Sequence, residues 1–190
     1  MRFFWEALSL LTLIVNCYGL NDTEATFMAL EKASALLDPP KELYQQIHSD
    51  LAVIRSSFAN VSDVKYVSNW VPGKILCNSI GESSTKALNQ SEFGPIKEDR
   101  SEHYTALMFA KPYNTPVLIN KLKEMGLLED SHDCRVDGII DGKSNIIYNY
   151  DKTYTFHKGL GDCAVTCADK HYWTFEVKNG TAVLLNESQT

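Results

Sequence analysis

At 190 residues with a formal net charge of −6, the chain lacks the basic excess that a nucleic-acid or anionic-membrane partner requires. Its 24 acidic and 18 basic residues are interspersed, and its 44% hydrophobic content suits a globular core. No internal repeat, low-complexity tract or Gly/Ser linker divides it.

The opening MRFFWEALSLLTLIVNCYGL carries a basic Arg2, an apolar run, and small or polar residues near Gly19. This is the grammar of a cleaved secretory signal over residues 1–20. It is too short and wrongly flanked for a membrane span, and no later stretch is long enough for one. The expectation is a secreted, extracellular protein with no membrane insertion after signal removal; Cys17 leaves with the signal. About 170 residues remain, enough to bury one good core, so residues 21–190 are expected to form a single domain.

Asp22 or Thr23 can cap a helix through "EATFMALEKASALL", which ends at Asp38-Pro39-Pro40. A second helix then starts with Asp38 as cap and proline in its first turn. In it Leu43, Ile47, Leu51, Ile54 and Phe58 form one apolar stripe, the clearest periodic signal in the chain. From Asn60 onward the pattern shortens, and the weakest point between this helical pair (23–58) and a sheet-rich region (63–190) lies near Ala59 to Asp63. "DVKYVSNW" alternates, "VPG" is read as a turn, and "KILCNSI" as a strand.

A short helix is expected within "SSTKALNQSEFGP", then a strand at "HYTALMFA". A helix follows at "TPVLINKLKEMG", with Thr115 as cap, Pro116 at its first position and Gly126 as its stop. Strands are expected at "CRVDGII", "SNIIYNYD", "KTYTFHKG", "HYWTFEV" and "TAVLLNE", the last two joined by an Asn179-Gly180 hairpin turn. Two helices followed by strands with one or two interleaved helices indicate an α+β fold with a mainly antiparallel sheet.

Five acceptor sequences of the form Asn-x-Ser/Thr begin at Asn21, Asn60, Asn89, Asn179 and Asn186. Together with a signal they favour a eukaryotic secreted glycoprotein, and each predicts a surface position. Asn114 does not qualify, because Pro116 stands where the hydroxyl residue is required.

Cys77, Cys134, Cys163 and Cys167 remain after signal removal, an even number in an oxidising compartment. Four cysteines allow three connectivities and sequence alone does not choose; the expectation is Cys77 with Cys134 and Cys163 with Cys167. The alternative is a zinc site from His157, Cys163, Cys167 and His171. Its ligand order is unusual for zinc, and secretion favours disulfide over thiolate. No cofactor is implied.

No nucleophile elbow, zinc-protease helix, phosphate loop or calcium loop occurs. The acidic stretches "EDSHD", "DGIIDG" and "EDRSEHY", the last with His103, read more simply as solvated turns than as acid/base pairs.

From Val71 to Ile140 the order of strands and helices resembles subtilisin-type propeptides and related protease inhibitors, which have a ferredoxin-like fold. That resemblance implies that the first and last strands are antiparallel neighbours, close enough for Cys77 and Cys134 to bridge. The tail "GLGDCAVTCADKHYWTFEV" resembles a Gly-Asp-Cys-x3-Cys segment near the end of uncharacterised secreted proteins, many of them bacterial. The leading functional expectation is a non-enzymatic binding module, protease-inhibitor-like, whose partner is an extracellular protein such as a protease. The alternatives are a matrix or adhesive component and an extracellular hydrolase using His103, His157 or His171.

Overall fold

The computed structural model describes residues 23–138, 143–160 and 167–190. The expected signal, Asn21, Cys163 and the Gly161-Asp162 start of the tail motif lie outside the described residues. Among the described residues, helices and antiparallel strands are both present in quantity, an α+β fold, and no helix is long and apolar enough to cross a membrane.

Helix α1 spans Thr23–Lys32 and α2 spans Lys41–Ser57. The reading of α1 as continuing to Leu37 is corrected by Asn114, which pulls the chain out of helical geometry. Its backbone N–H donates to Leu37 O at 2.8 Å and its side chain donates to Ser34 O at 3.2 Å. Asp38 does not cap α2, whose N-cap is Pro40 with no side-chain cap bond. The α2 stripe is as expected at Ile47, Leu51 and Ile54, joined by Tyr44, all buried.

Strand β1 covers Trp70–Cys77, α3 Glu82–Gln90, β2 Ile96–Arg100, β3 Thr105–Phe109, α4 Thr115–Glu124 and β4 Cys134–Gly138. They form a βαββαβ unit whose antiparallel sheet has the order β2-β3-β1-β4, the ferredoxin-like arrangement. Cys77 stands opposite Cys134 across β1 and β4, and the two are disulfide-bonded.

"VPG" is not a turn. It is a bulged stretch inside β1, where the register with β4 shifts between Trp70 and Ile75. Gly73 has φ +68°, donates to Tyr113 O at 2.8 Å, and leaves no room for a Cβ against the Lys111 carbonyl. The cap of α4 is Asn114, not Thr115, whose hydroxyl instead donates to Val71 O at 2.8 Å and pins the helix start to β1. Strand β2, "IKEDR", was not expected from sequence; it is a charged, largely exposed outer strand.

The rest is a second four-stranded antiparallel sheet in the order β5-β6-β7-β8, with β5 Ser144–Tyr148, β6 Tyr154–Gly159, β7 Lys170–Lys178 and β8 Thr181–Gln189. The sequence reading joins all strands into one sheet-rich region, whereas the structure builds two sheets with two cores. Leu88, Leu118 and Leu122 from α3 and α4 cover Ile75, Leu107 and Phe109 of the first sheet. The N-terminal pair crosses to the C-terminal sheet: Met28, Ile47, Leu51 and Ile54 pack on Tyr154, Phe156, Trp173 and Phe175. Val61 and Val64 are buried in that same core.

Candidate binding surface

Because α3 and α4 cover one face of the first sheet, strand alternation turns the other residues to the opposite face. The register sets them in two rows. Lys97, Met108 and Lys74 align across β2, β3 and β1, and Asp99, Ala106, Leu76 and Arg135 align across all four strands. Lys97, Asp99 and Arg135 are exposed, while Leu76 and Met108 are half-buried. Lys74 pairs with Asp137 at 2.8 Å, and Arg135 donates to Asn78 Oδ1 at 2.7 Å. Tyr104, partly exposed in the turn before β3, extends the surface toward Ser101, whose N–H donates to Tyr104 O at 2.9 Å. Ala106, between Leu76 and Met108, is buried at 2%, so the apolar centre is Leu76 and Met108, with a charged rim and a Tyr and an Arg nearby, a composition in keeping with a protein-binding patch.

The histidines of the hydrolase alternative are not brought together. His103 lies in the exposed turn between β2 and β3. His157 pairs with Tyr172 in register while His171 pairs with Lys158, so His157 and His171 occupy opposite faces of the second sheet. His157 is buried, its ring 5.7 Å from that of Tyr172. His171 stacks on Trp173 with centroids 4.0 Å apart and lies 2.7 Å from Glu187 Oε1, which also accepts from Trp173 Nε1 at 3.0 Å. This is a cross-strand clasp between β7 and β8.

The zinc alternative is corrected on the same grounds. Its two histidines sit on opposite faces and Cys167 is disulfide-bonded, with Cys163 outside the described residues. Among the described residues, no group of three or more His, Cys, Asp or Glu side chains is placed to hold a metal ion.

The acidic stretches serve the fold. In "EDSHD" the backbone N–H of Glu129 donates to His132 Nδ1 at 3.0 Å, the His132 half of a capping box. The Lys123 ammonium, 2.6 Å from Asp130, holds that carboxyl below its usual range. In "EDRSEHY", Glu98 pairs with Arg100 at 2.6 Å. In "DGIIDG", Asp137 pairs with Lys74, while residues 139–142 lie outside the described residues.

The acceptor asparagines Asn60, Asn89, Asn179 and Asn186 are all exposed, whereas Asn114 is buried at 1%. Asn179 and Gly180 have φ of 52° and 72° between β7 and β8, as a two-residue turn requires.

Sequence reasoning missed the sheet face because it missed β2: without that strand Lys97 and Asp99 have no place beside Met108. The stretch "IKEDR" offers no apolar alternation to read, because four of its five residues are charged. Comparison with family models, curated proteins and solved structures finds no match to this chain.

Proposed function

We propose that this protein is a secreted, disulfide-bonded glycoprotein acting as a non-enzymatic binding module, in which the open face of the ferredoxin-like sheet engages an extracellular protein in the manner of a protease inhibitor. The observation that carries this reading is the half-buried Leu76 and Met108 pair, set within a charged rim on the face opposite α3 and α4. Secretion is supported by the signal grammar of residues 1–20 and by the Cys77–Cys134 bridge, since such bonds persist in oxidising compartments. Glycosylation is supported by the exposure of Asn60, Asn89, Asn179 and Asn186. The test is a panel of secreted serine and cysteine proteases assayed with micromolar protein. Inhibition of at least one is expected, and inhibition of none removes the inhibitor form of the proposal.

One observation favours the matrix or adhesive reading as a second. Strand β8 is an outer strand on which Val183, Leu184 and Leu185 are exposed at 45%, 36% and 51%, an invitation to edge pairing. Glycans at Asn179 and Asn186 would flank it and oppose association. Sedimentation of the glycosylated and deglycosylated protein decides: a strict monomer in both forms counts against a matrix role.

A further inference from the structure

A cleft of about 430 Å³ lies between α1, the segment 66–69 and β5, apart from the sheet face on which the proposed function rests. Its volume is within the range of small-ligand sites. The backbone edge of β5 is closed here: Ile146 is 1% exposed, and Asn145 ties the strand to Val67 through bonds of 2.7 and 3.0 Å. A ligand in the cleft therefore meets side chains.

The rim is aromatic. Tyr150 is 98% exposed, and Tyr148 near it is half-buried. A ring so exposed has no packing to hold it, yet this one is fixed from below. Lys32 Nζ lies 4.0 Å from the ring centre of Tyr150 and 5.2 Å from that of Tyr148, and donates to Asn149 O at 3.0 Å. The turn that carries Tyr150 is closed by the bond from Asn149 N to Thr153 O at 2.9 Å. Asp151 Oδ1 locks it further, accepting from Thr153 N at 3.1 Å and from Thr153 Oγ1 at 2.7 Å. Tyr150 is thus a positioned ring facing solvent at the mouth of a polar cleft.

The charges of the wall are answered within it. Lys32 acts on the Asp151 carboxylate, and Glu31 accepts from Ser68 Oγ, Asn69 N and Asn69 Nδ2 at 2.7–3.1 Å. A charged ligand finds no unanswered opposite charge, and a wholly apolar one would cover Asn69 and Ser34 without bonding them. The groups left open are neutral: the tyrosine rings, Asn69 Oδ1 and the Ser34 hydroxyl, the last two without a partner among the described residues.

We infer that this cleft binds a neutral saccharide, one sugar ring lying with its C–H face on Tyr150 and its hydroxyls turned to Asn69 and Ser34. The C–H bonds on one face of a pyranose carry the partial positive charge that the negative face of an aromatic ring attracts. Its hydroxyls donate and accept without net charge, as the open groups of the wall require.

The test presents the whole secreted protein to an immobilised panel of neutral and acidic oligosaccharides, the neutral ones ending in glucose, galactose, mannose or N-acetylglucosamine. The retained oligosaccharide is then titrated free in solution. Retention of at least one neutral member is expected, with an affinity that holds between low and high salt because no ion pair forms. Tyr150→Ala is expected to weaken it at least about tenfold with the melting temperature unchanged, since a ring that is 98% exposed supports no core. Tyr150→Phe is expected to keep it, because the ring and not the hydroxyl makes the contact. The inference is overturned if no neutral oligosaccharide is retained, if Tyr150→Ala binds as the parent does, or if Tyr150→Phe loses as much as Tyr150→Ala. Retention of acidic members alone, lost in high salt, would also overturn it and mark an anion site.

Discussion

Arg55 of α2 grips Glu24 of α1 through both ends of its guanidinium, at 2.8 and 3.0 Å, with each side chain 18% exposed. The same guanidinium donates to Val64 O at 2.7 Å, and Glu24 accepts from Tyr66 N at 2.6 Å. One ion pair thus ties both N-terminal helices to the segment that leads into the first sheet. Removing Arg55 strands the Glu24 carboxylate and the Val64 carbonyl in a half-buried place. Arg55→Ala is expected to cost about 2 kcal/mol, below the ~3–5 kcal/mol of a fully buried pair because of that exposure. Denaturant unfolding measures it, and a change under about 0.5 kcal/mol would show the pair to be an ordinary surface contact.

The Cys77–Cys134 bridge spans 57 residues of sequence, which in the loop-entropy picture contributes about 4 kcal/mol. The Cys77→Ala/Cys134→Ala protein is expected to lose stability of that order and to be secreted poorly. Gly159 tests the other bridged cysteine. A Cβ there would collide with Cys167 Sγ and come within 2.9 Å of Lys143 O, whereas at Gly138 the nearest atom lies 3.9 Å away. Gly159→Ala is expected to expose reactive thiol or block secretion, and Gly138→Ala to leave both unchanged; thiol alkylation of the secreted protein reads the difference.

Stability against pH separates two kinds of carboxylate. Burial, opposed in part by hydrogen bonds from Tyr154 and Gln46, raises the pKa of Asp50 above its ordinary 3.8. A raised acid stabilises the fold fully below its unfolded pKa, and that contribution is lost as pH climbs through the folded value. Asp63 runs the other way. Its hydrogen bond from Lys158 lowers it, so its contribution is present above 3.8 and lost as pH falls. Asp50→Asn is therefore expected to gain on the parent as pH rises through the acidic range and to match it below 3.8; unfolding midpoints from pH 3 to 7 follow this. A constant offset across that range would contradict it.

The acceptor asparagines are expected to differ in what their loss does. Asn89 Oδ1 accepts from Ile96 N at 2.9 Å, joining α3 to the start of β2, while Asn186 stands exposed on an outer strand. Asn89→Ala is expected to cost about 1 kcal/mol beyond any loss of glycan, and Asn186→Ala close to nothing. Melting of deglycosylated variants checks this, and equal effects would remove the structural role of Asn89.

Local pattern carried much of this architecture. The α2 stripe, the Asn179-Gly180 turn and the strands around Ile75, Leu107 and Phe156 are visible as periodicity and turn chemistry. What stayed hidden depends on long-range contacts. Nothing in residues 23–57 says that Ile47 and Leu51 meet Phe156 and Phe175, more than a hundred positions away. Strand β2 lacks apolar alternation because its pairing to β3 is main-chain work at an exposed edge. The Val71-Pro72-Gly73 bulge carries the composition of a turn, and only the Tyr113 acceptor distinguishes the two. The pairing of Cys77 with Cys134 was expected from the strand order, but it lies on the helix-covered face, whereas the Leu76 and Met108 centre on the open face needed the register.

The most direct measurement is the inhibition constant of this protein against the most sensitive protease of the panel, with and without Met108→Asp. The substitution sits on the open sheet face, away from the core beneath α3 and α4. The account predicts micromolar or tighter inhibition, weakened at least about tenfold by the buried charge at the patch centre, with the unfolding midpoint unchanged. No inhibition of any protease, or equal inhibition by both proteins, would contradict it.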